Sequence, residues 1–146
     1  MYETFEHTAD LGLRIRAPDL NRLFGEAAEA LFSAIVVNPQ AIEPVQEIRF
    51  SVTADRADDL LHDWLAELLF TFDSRRLLLS QFDVQVNNTS ADEYIRLAAT
   101  ACATARGEVF DPQRHELRME IKAITYHGLK VEQTPDGWLA EVIVDI

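Results

Sequence analysis

Glu120-Ile121-Lys122-Ala123-Ile124-Thr125-Tyr126-His127 and, after a short reversal, Gly137-Trp138-Leu139-Ala140-Glu141-Val142-Ile143-Val144-Asp145-Ile146 are the residues around which the rest of the chain is organised. The second run reads as a strand and carries its pattern to the last residue. It ends on an apolar residue with an aspartate before it. The Asp145 side chain and the Ile146 carboxylate are therefore expected close together. Neighbouring anions repel unless they are solvated, protonated or share a cation. Two readings stand open on these residues: a solvated strand end, or part of an oxygen-only metal site that needs one further acid.

Working outward, Thr134-Pro135-Asp136-Gly137 is a hairpin signal joining strands over 129–133 and 138–145. Leu117, Met119, Ile121 and Ala123 alternate, which predicts another strand. The Ala-rich stretch 93–108 has helix-forming composition, yet Ile95, Leu97, Ala99, Ala101 and Ala103 alternate, so strand is the reading, after a turn at 88–92. Strands are also expected at 77–79, 81–87, 47–53, 2–6 and 11–17, the last from Leu11, Leu13 and Ile15 in period two.

Two segments keep helical spacing instead. Leu20, Leu23, Phe24, Ala27, Leu31 and Ile35 mark a helix over 20–36, with Asp19 as its cap and Asn38-Pro39 closing it. Leu60, Leu61, Trp64, Leu65, Leu68, Leu69 and Phe72 form a wider stripe over 56–72, with Asp55 placed to cap it. The helices do not alternate with single strands, which argues against a doubly wound parallel sheet. The expected fold class is α+β: a two-layer sandwich of a mixed, largely antiparallel sheet with two amphipathic helices on one face.

Composition narrows the function classes. With 146 residues the chain is expected to form one domain, 1–146, able to bury a core without staples. The formal net charge is −12. That disfavours tight binding to a phosphate backbone or an anionic membrane surface, and favours a basic protein partner or a cation. A local basic patch from Arg75, Arg76, Arg114 and Lys122 stays open. A single cysteine, Cys102, excludes a disulfide framework and fits a cytoplasmic setting; it reads as a small core residue. The N-terminus lacks the regions of a signal peptide.

No phosphate-cradling glycine loop and no Gly-x-Ser-x-Gly elbow occur. His7, His62, His115 and His127 have no zinc spacing, and Asp58 with His62, one turn apart, reads as a solvated helix pair. What remains is acid. Asp10 follows the first strand, and Asp145 with the Ile146 carboxylate ends the last. If those strands are neighbours, three carboxylates converge, and such hard oxygen donors suit Ca²⁺, Mg²⁺ or Mn²⁺ rather than zinc. Lys122 is either a solvated lysine or a group beside that acid cluster.

The stretches His7-Thr8-Ala9-Asp10-Leu11-Gly12, 61–70 (Leu-His-Asp-Trp-Leu-Ala-Glu-Leu-Leu-Phe), Phe72-Asp73, 111–115 (Asp-Pro-Gln-Arg-His), 120–127 and Val144-Asp145-Ile146 together resemble the archease family, in family order from end to end of the chain. The resemblance implies a protein cofactor, itself not an enzyme, of an RtcB-type RNA ligase. Such ligases join a 2′,3′-cyclic phosphate or 3′-phosphate RNA end to a 5′-hydroxyl in tRNA splicing and RNA repair, using GTP, Mn²⁺ and a guanylylated histidine. Archeases speed that guanylylation and allow multiple turnover. Carried over position by position, the family's metal ligands fall on Asp10, Asp145 and Ile146, with Ca²⁺ the first choice of ion and Mg²⁺ or Mn²⁺ next. Its functionally important lysine falls on Lys122. His62 stands where the family often has an aromatic. The resemblance implies a ligase as partner, the net charge argues for little direct nucleic-acid contact, and the oligomeric state stays open. Two other classes remain as rivals: a general chaperone or adaptor, and a metal-dependent phosphohydrolase.

Overall fold

In the computed structural model, which describes residues 1–7, 10–87 and 99–146, the period-two stretches pair as strands and the two stripes become helices. The chain runs β1 (Tyr2–His7), β2 (Asp10–Ala17), α1 (Leu20–Ile35), a 3₁₀ turn (Pro39–Ala41), β3 (Gln46–Ala54), α2 (Ala57–Arg75), β4 (Leu77–Asn87), β5 (Ala99–Val109), β6 (Ala123–Ile124), β7 (Lys130–Thr134) and β8 (Gly137–Asp145). The expected α+β sandwich with two amphipathic helices is what forms. Its described strands divide into two sheets, and their pairings are all antiparallel. One sheet has five strands in the order β1-β2-β8-β6, with β7 also on β8; the other has three, β3-β5-β4. Both helices touch both sheets.

The buried stripes explain this arrangement. Leu23, Phe24, Ala27, Leu31 and Ile35 of α1 are buried, and the Asp19 carboxylate accepts the Arg22 N–H at 2.8 Å, satisfying an otherwise orphaned helix donor. Trp64 of α2 is wholly buried; its indole N–H donates to the Phe24 carbonyl at 3.1 Å, so the one polar atom of a large side chain also ties the helices together. Ala99, Ala101, Ala103 and Ala105 give β5 a buried face of small side chains against which the bulky α2 stripe fits.

Several local expectations are corrected. Residues 117–122 form no continuous strand. Leu117 makes one bridge to Val36, the Arg118 N–H donates to Ile35 O (2.7 Å), and the Lys122 N–H donates to Asp145 O (2.8 Å). The alternating stretch is thus a crossing, handed from the end of α1 to the edge of β8, and only 123–124 joins a ladder. The strands expected at 77–79 and 81–87 are one strand with a register shift between Leu79 and Gln81. Asp55 does not cap α2, whose N-cap is Arg56 without a side-chain bond; the helix runs on to Arg75 and stops at Arg76, in the left-handed region at φ 53°. Cys102 is exposed, because it lies on the face of β5 opposite the alanines. The turn expected at 88–92 and the first part of the 93–108 strand lie outside the described residues.

A polar network anchors the loops at the other end. Glu108, 9% exposed, receives the Arg114 guanidinium on both oxygens and the Glu43 N–H on one. Arg114 also donates to Ala41 O at 3.0 Å, so it is consumed here rather than contributing to a basic patch. His115 is buried, and its Nδ1 accepts the Asp111 N–H (2.9 Å). Its Nε2 then carries the proton and faces Glu108 Oε2 at 3.4 Å, without a formed hydrogen bond. Burial pushes the Glu108 carboxyl up, but the Arg114 hydrogen bond and the Glu43 N–H outweigh it and hold the group below the usual glutamate range.

Two outcomes follow from these contacts. A Glu108 carboxyl depressed on folding adds stability above its ordinary value and loses it as pH falls through the depressed one. Glu108→Gln is expected to cost about 1–3 kcal/mol at pH 7, with the gap to wild type closing as the pH is lowered through the depressed carboxyl pKa, in urea unfolding followed by circular dichroism. Gly107 faces the β4 irregularity, and a Cβ there would lie 1.8 Å from Leu78 O. Gly107→Ala is expected to cost about 3 kcal/mol or more, while Gly25→Ala, whose nearest neighbour is at 4.0 Å, remains folded in the same measurement.

Candidate functional site

The five-stranded sheet turns one face to the core and the other away from it. Leu13, Ile15, Ala140, Val142 and Val144 are buried on the inner face, so their neighbours Asp10, Gly12 and Arg14 on β2 and Glu141, Ile143 and Asp145 on β8 share the outer face. Register then places the candidate residues. Asp10 lies directly opposite Asp145, Gly12 opposite Ile143 and Arg14 opposite Glu141. Ile146 follows Asp145 and is exposed.

The phase of the ladder brings the two aspartates close. Met1 and Arg16 exchange both hydrogen bonds across β1 and β2, so every second residue of β2, down to Asp10, bonds towards β1. The Asp145 carbonyl bonds in the other direction, to the Lys122 N–H at 2.8 Å. Asp10 and Asp145 are therefore a pair without mutual backbone bonds, the closer type, about 4.5 Å between Cα atoms. Like charges directly opposite each other are unfavourable. As the resemblance implies it, the set would offer a hard cation only oxygen: the two opposed carboxylates and the main-chain carboxylate expected at Ile146. Among the described residues no three His, Cys, Asp or Glu side chains cluster so as to hold a metal ion; this set differs in taking its third carboxylate from the main chain of Ile146.

Lys122 is exposed, and its backbone is fixed beside the aspartates by several clips. Ala123 and Ile124 pair with Asp145 and Val144. Thr125 donates both its N–H (3.0 Å) and its hydroxyl (2.8 Å) to Ile143 O. From α2, His62 Nε2 donates to Ile124 O at 2.9 Å, while its ring stacks on exposed Tyr126 with centroids 3.8 Å apart. The other ring nitrogen lies 2.9 Å from Asp63. His62 thus serves the strand across from it, not the Asp58 pair that helix spacing suggested. Sequence spacing gave no sign of that role, because His62 and Ile124 are 62 positions apart.

The rest of the outer face is held by charge and one aromatic. Arg14 bonds Glu141 at 2.9 Å and Glu3 at 3.1 Å, and both carboxylates raise the guanidinium pKa, Glu141 the more. It also lies over the Phe5 ring, 4.8 Å from its centroid. Phe5 pairs with Gly12 in register and covers it. A side chain there would occupy the volume of the ring, so Phe5 would have to move aside.

The Archease protein family (MTH1598/TM1083) model matches residues 2–146. The protein archease of Pyrococcus furiosus is 38% identical over 146 residues, 99% of this chain and 98% of that one. The archease of Methanopyrus kandleri is 37% identical over 145 residues, covering 99% of each. Among solved structures, the solution structure of Methanobacterium thermoautotrophicum protein 1598 superposes with a TM-score of 0.83 at 32% identity, over 99% of this chain and 98% of that one. The crystal structure of a Thermotoga maritima archease, described as a possible chaperone, superposes at 0.63 and 21% identity, over 100% and 98%, and shares the fold.

The Phe5–Gly12 contact supports the strand end that carries Asp10, and it is testable. A Cβ on Gly12 would lie 2.2–2.4 Å from Phe5 ring atoms. Gly12→Ala is expected to destabilise by about 1–3 kcal/mol, and to cost far less in a Phe5→Ala background, in a double-mutant cycle of urea unfolding.

Proposed function

This chain belongs to the archease family, and from that premise we propose that it is an activating partner of an RtcB-type RNA ligase, promoting guanylylation of the ligase histidine with GTP and so multiple turnover in tRNA splicing and RNA repair. The observation that carries the reading is the register pairing of Asp10 with Asp145, with the Lys122 N–H on the Asp145 carbonyl. Three separate parts of the chain meet at one strand end, as a task shared by Asp10, Asp145 and Lys122 requires. In this reading Asp10, Asp145 and the Ile146 carboxylate hold a divalent cation, Ca²⁺ first, with Mg²⁺ or Mn²⁺ next. A bound cation would offset the repulsion between the opposed carboxylates and stiffen the β2–β8 end. Lys122 stands beside it to meet phosphate or carboxylate oxygens at the ligase's nucleotide cleft. The net charge of −12 supports docking on a basic, RNA-binding enzyme rather than on the RNA, because complementary charge speeds and orients encounter. The protein's part is to bind and position; the bond-making stays with the ligase.

A general chaperone is the second reading, favoured by the description of the Thermotoga maritima relative. The two separate cleanly. Single-turnover guanylylation of the ligase, followed with labelled GTP, is expected to accelerate with the wild-type protein and to lose most of that acceleration with Asp10→Ala or Lys122→Ala. Unchanged stimulation by both variants removes these residues from the mechanism, and suppression of aggregation of unrelated proteins without ligase selectivity favours the chaperone. The cation has its own readout. Millimolar Ca²⁺ is expected to raise Tm of the isolated wild-type protein by several degrees through binding to the folded state alone. Asp145→Asn, or a Gly-Ser extension after Ile146, is expected to abolish that rise.

A further inference from the structure

Among the described residues β1 is the outer strand of the five-stranded sheet and pairs on one side only. The doubly bonded Met1–Arg16 pair makes Glu3–Arg14 and Phe5–Gly12 the next bonded pairs. The N–H and C=O groups of Tyr2 and Thr4 therefore turn away from β2. Among the described residues none bonds to them. Tyr2, Glu3 and Thr4 are exposed. An edge left in this state is a template for a further strand.

The surroundings say what kind of strand fits. Tyr2 and Thr4 lie opposite the buried Ile15 and Leu13, so they share the inner face, while Glu3 shares the outer face with Arg14. Beside the inner face runs a groove of about 500 Å³ between β1, α1 and the 117–122 crossing, lined on its apolar side by Leu11, Ala30, Ala34 and Met119 and elsewhere by Ser33, Gln40 and Arg118. Residues of an added strand opposite Tyr2 and Thr4 would point into that groove, where Leu11, Ala30, Ala34 and Met119 supply an apolar wall, and the residue between them would stand beside Glu3, one oxygen of which already takes Arg14 at 3.1 Å.

We propose that β1 captures an extended segment of the partner protein by strand addition, the segment carrying apolar side chains opposite Tyr2 and Thr4 and a lysine or arginine between them, opposite Glu3. Main-chain bonds supply affinity in this mode and the alternate side chains supply selectivity. Charge decides against a second copy of this chain as occupant. Each copy carries −12, and self-pairing centred on Thr4 would place Glu3 of both copies in one ribbon. The proposal deepens the ligase reading and rests on it. β1 ends at His7, the register partner of Asp10, so a segment laid along β1 brings the rest of its protein to the paired aspartates.

Proline separates this edge from the ladder behind it. Thr4→Pro removes a donor that points outward and leaves the β1–β2 bonds intact, as edge strands tolerate; Thr4→Val keeps the donor. With the RtcB-type ligase of the same organism as probe, Thr4→Pro is expected to bind about tenfold more weakly or worse, Thr4→Val to bind as wild type, and Thr4→Pro in saturating excess to stimulate guanylylation normally. In hydrogen exchange on the wild-type protein, which does not depend on the variant folding, the Tyr2 and Thr4 amides are expected to become protected when ligase is added. Wild-type binding with undiminished affinity in folded Thr4→Pro, or with unchanged exchange at those amides, overturns strand addition alone. A dimer of the isolated protein in sedimentation that Thr4→Pro abolishes assigns the edge to a second copy and overturns it too. A wild-type protein that neither binds nor stimulates the ligase overturns this proposal together with the reading beneath it.

Discussion

The antiparallel ladder between Asp10–Ala17 and Gly137–Asp145 is the constraint on which the rest depends. β8 receives β2 along one edge, and β6 and β7 in succession along the other, so each strand of that sheet is placed by β8 directly or through β2. The inner face supplies Leu13, Ile15, Ala140, Val142 and Val144 to the core. The outer face carries Arg14 between Glu141 and Glu3. A shift of one residue would exchange the two faces, burying those charges and moving Asp10 away from Asp145. Burial of the inner face therefore fixes the geometry of the acid pair, with no interaction between the aspartates needed to bring them together.

Much of this was legible where pattern and position coincide. Leu11, Leu13 and Ile15 named β2, and the β7–β8 hairpin followed from Thr134-Pro135-Asp136-Gly137. Both helices followed from their stripes, and Asp19 was a legible cap because its carboxylate has only local work to do. The 117–122 crossing was not legible. Its alternation is real, since Ile121 is buried and Lys122 exposed, but alternation reports which side faces the core, not whether a neighbour strand is there to pair. Cys102 departs from its expected place in the core for a related reason: it sits on the phase of β5 opposite the alanines. The division into two sheets was hidden as well, because it depends on how both helices are shared.

For the site, Asp10 and Asp145 could be named from the residues, yet only register shows them directly opposed. The supports around them were out of reach of sequence reasoning. Phe5 over Gly12 needs the antiparallel pairing of β1 with β2, and His62 on Ile124 O needs α2 against β6. Polar side chains were least predictable of all. Arg114, a candidate for a basic patch, is held by Glu108 and Ala41, while Asp58 and His62 serve different partners despite their helical spacing.

Arg14 and Glu141 are separated by 127 residues. The ladder they belong to is therefore among the most non-local in the chain, and contacts of that kind are slow to close. On the ribosome, where chains emerge from the N-terminus onward, the β1–β2 hairpin is made early and must wait for its main partner. Until residues 137–145 leave the exit tunnel, Asp10 has no Asp145 opposite it. A nascent chain, or one released before residues 137–145 are made, can thus display the β1–β2 pair but not the opposed carboxylates of Asp10 and Asp145.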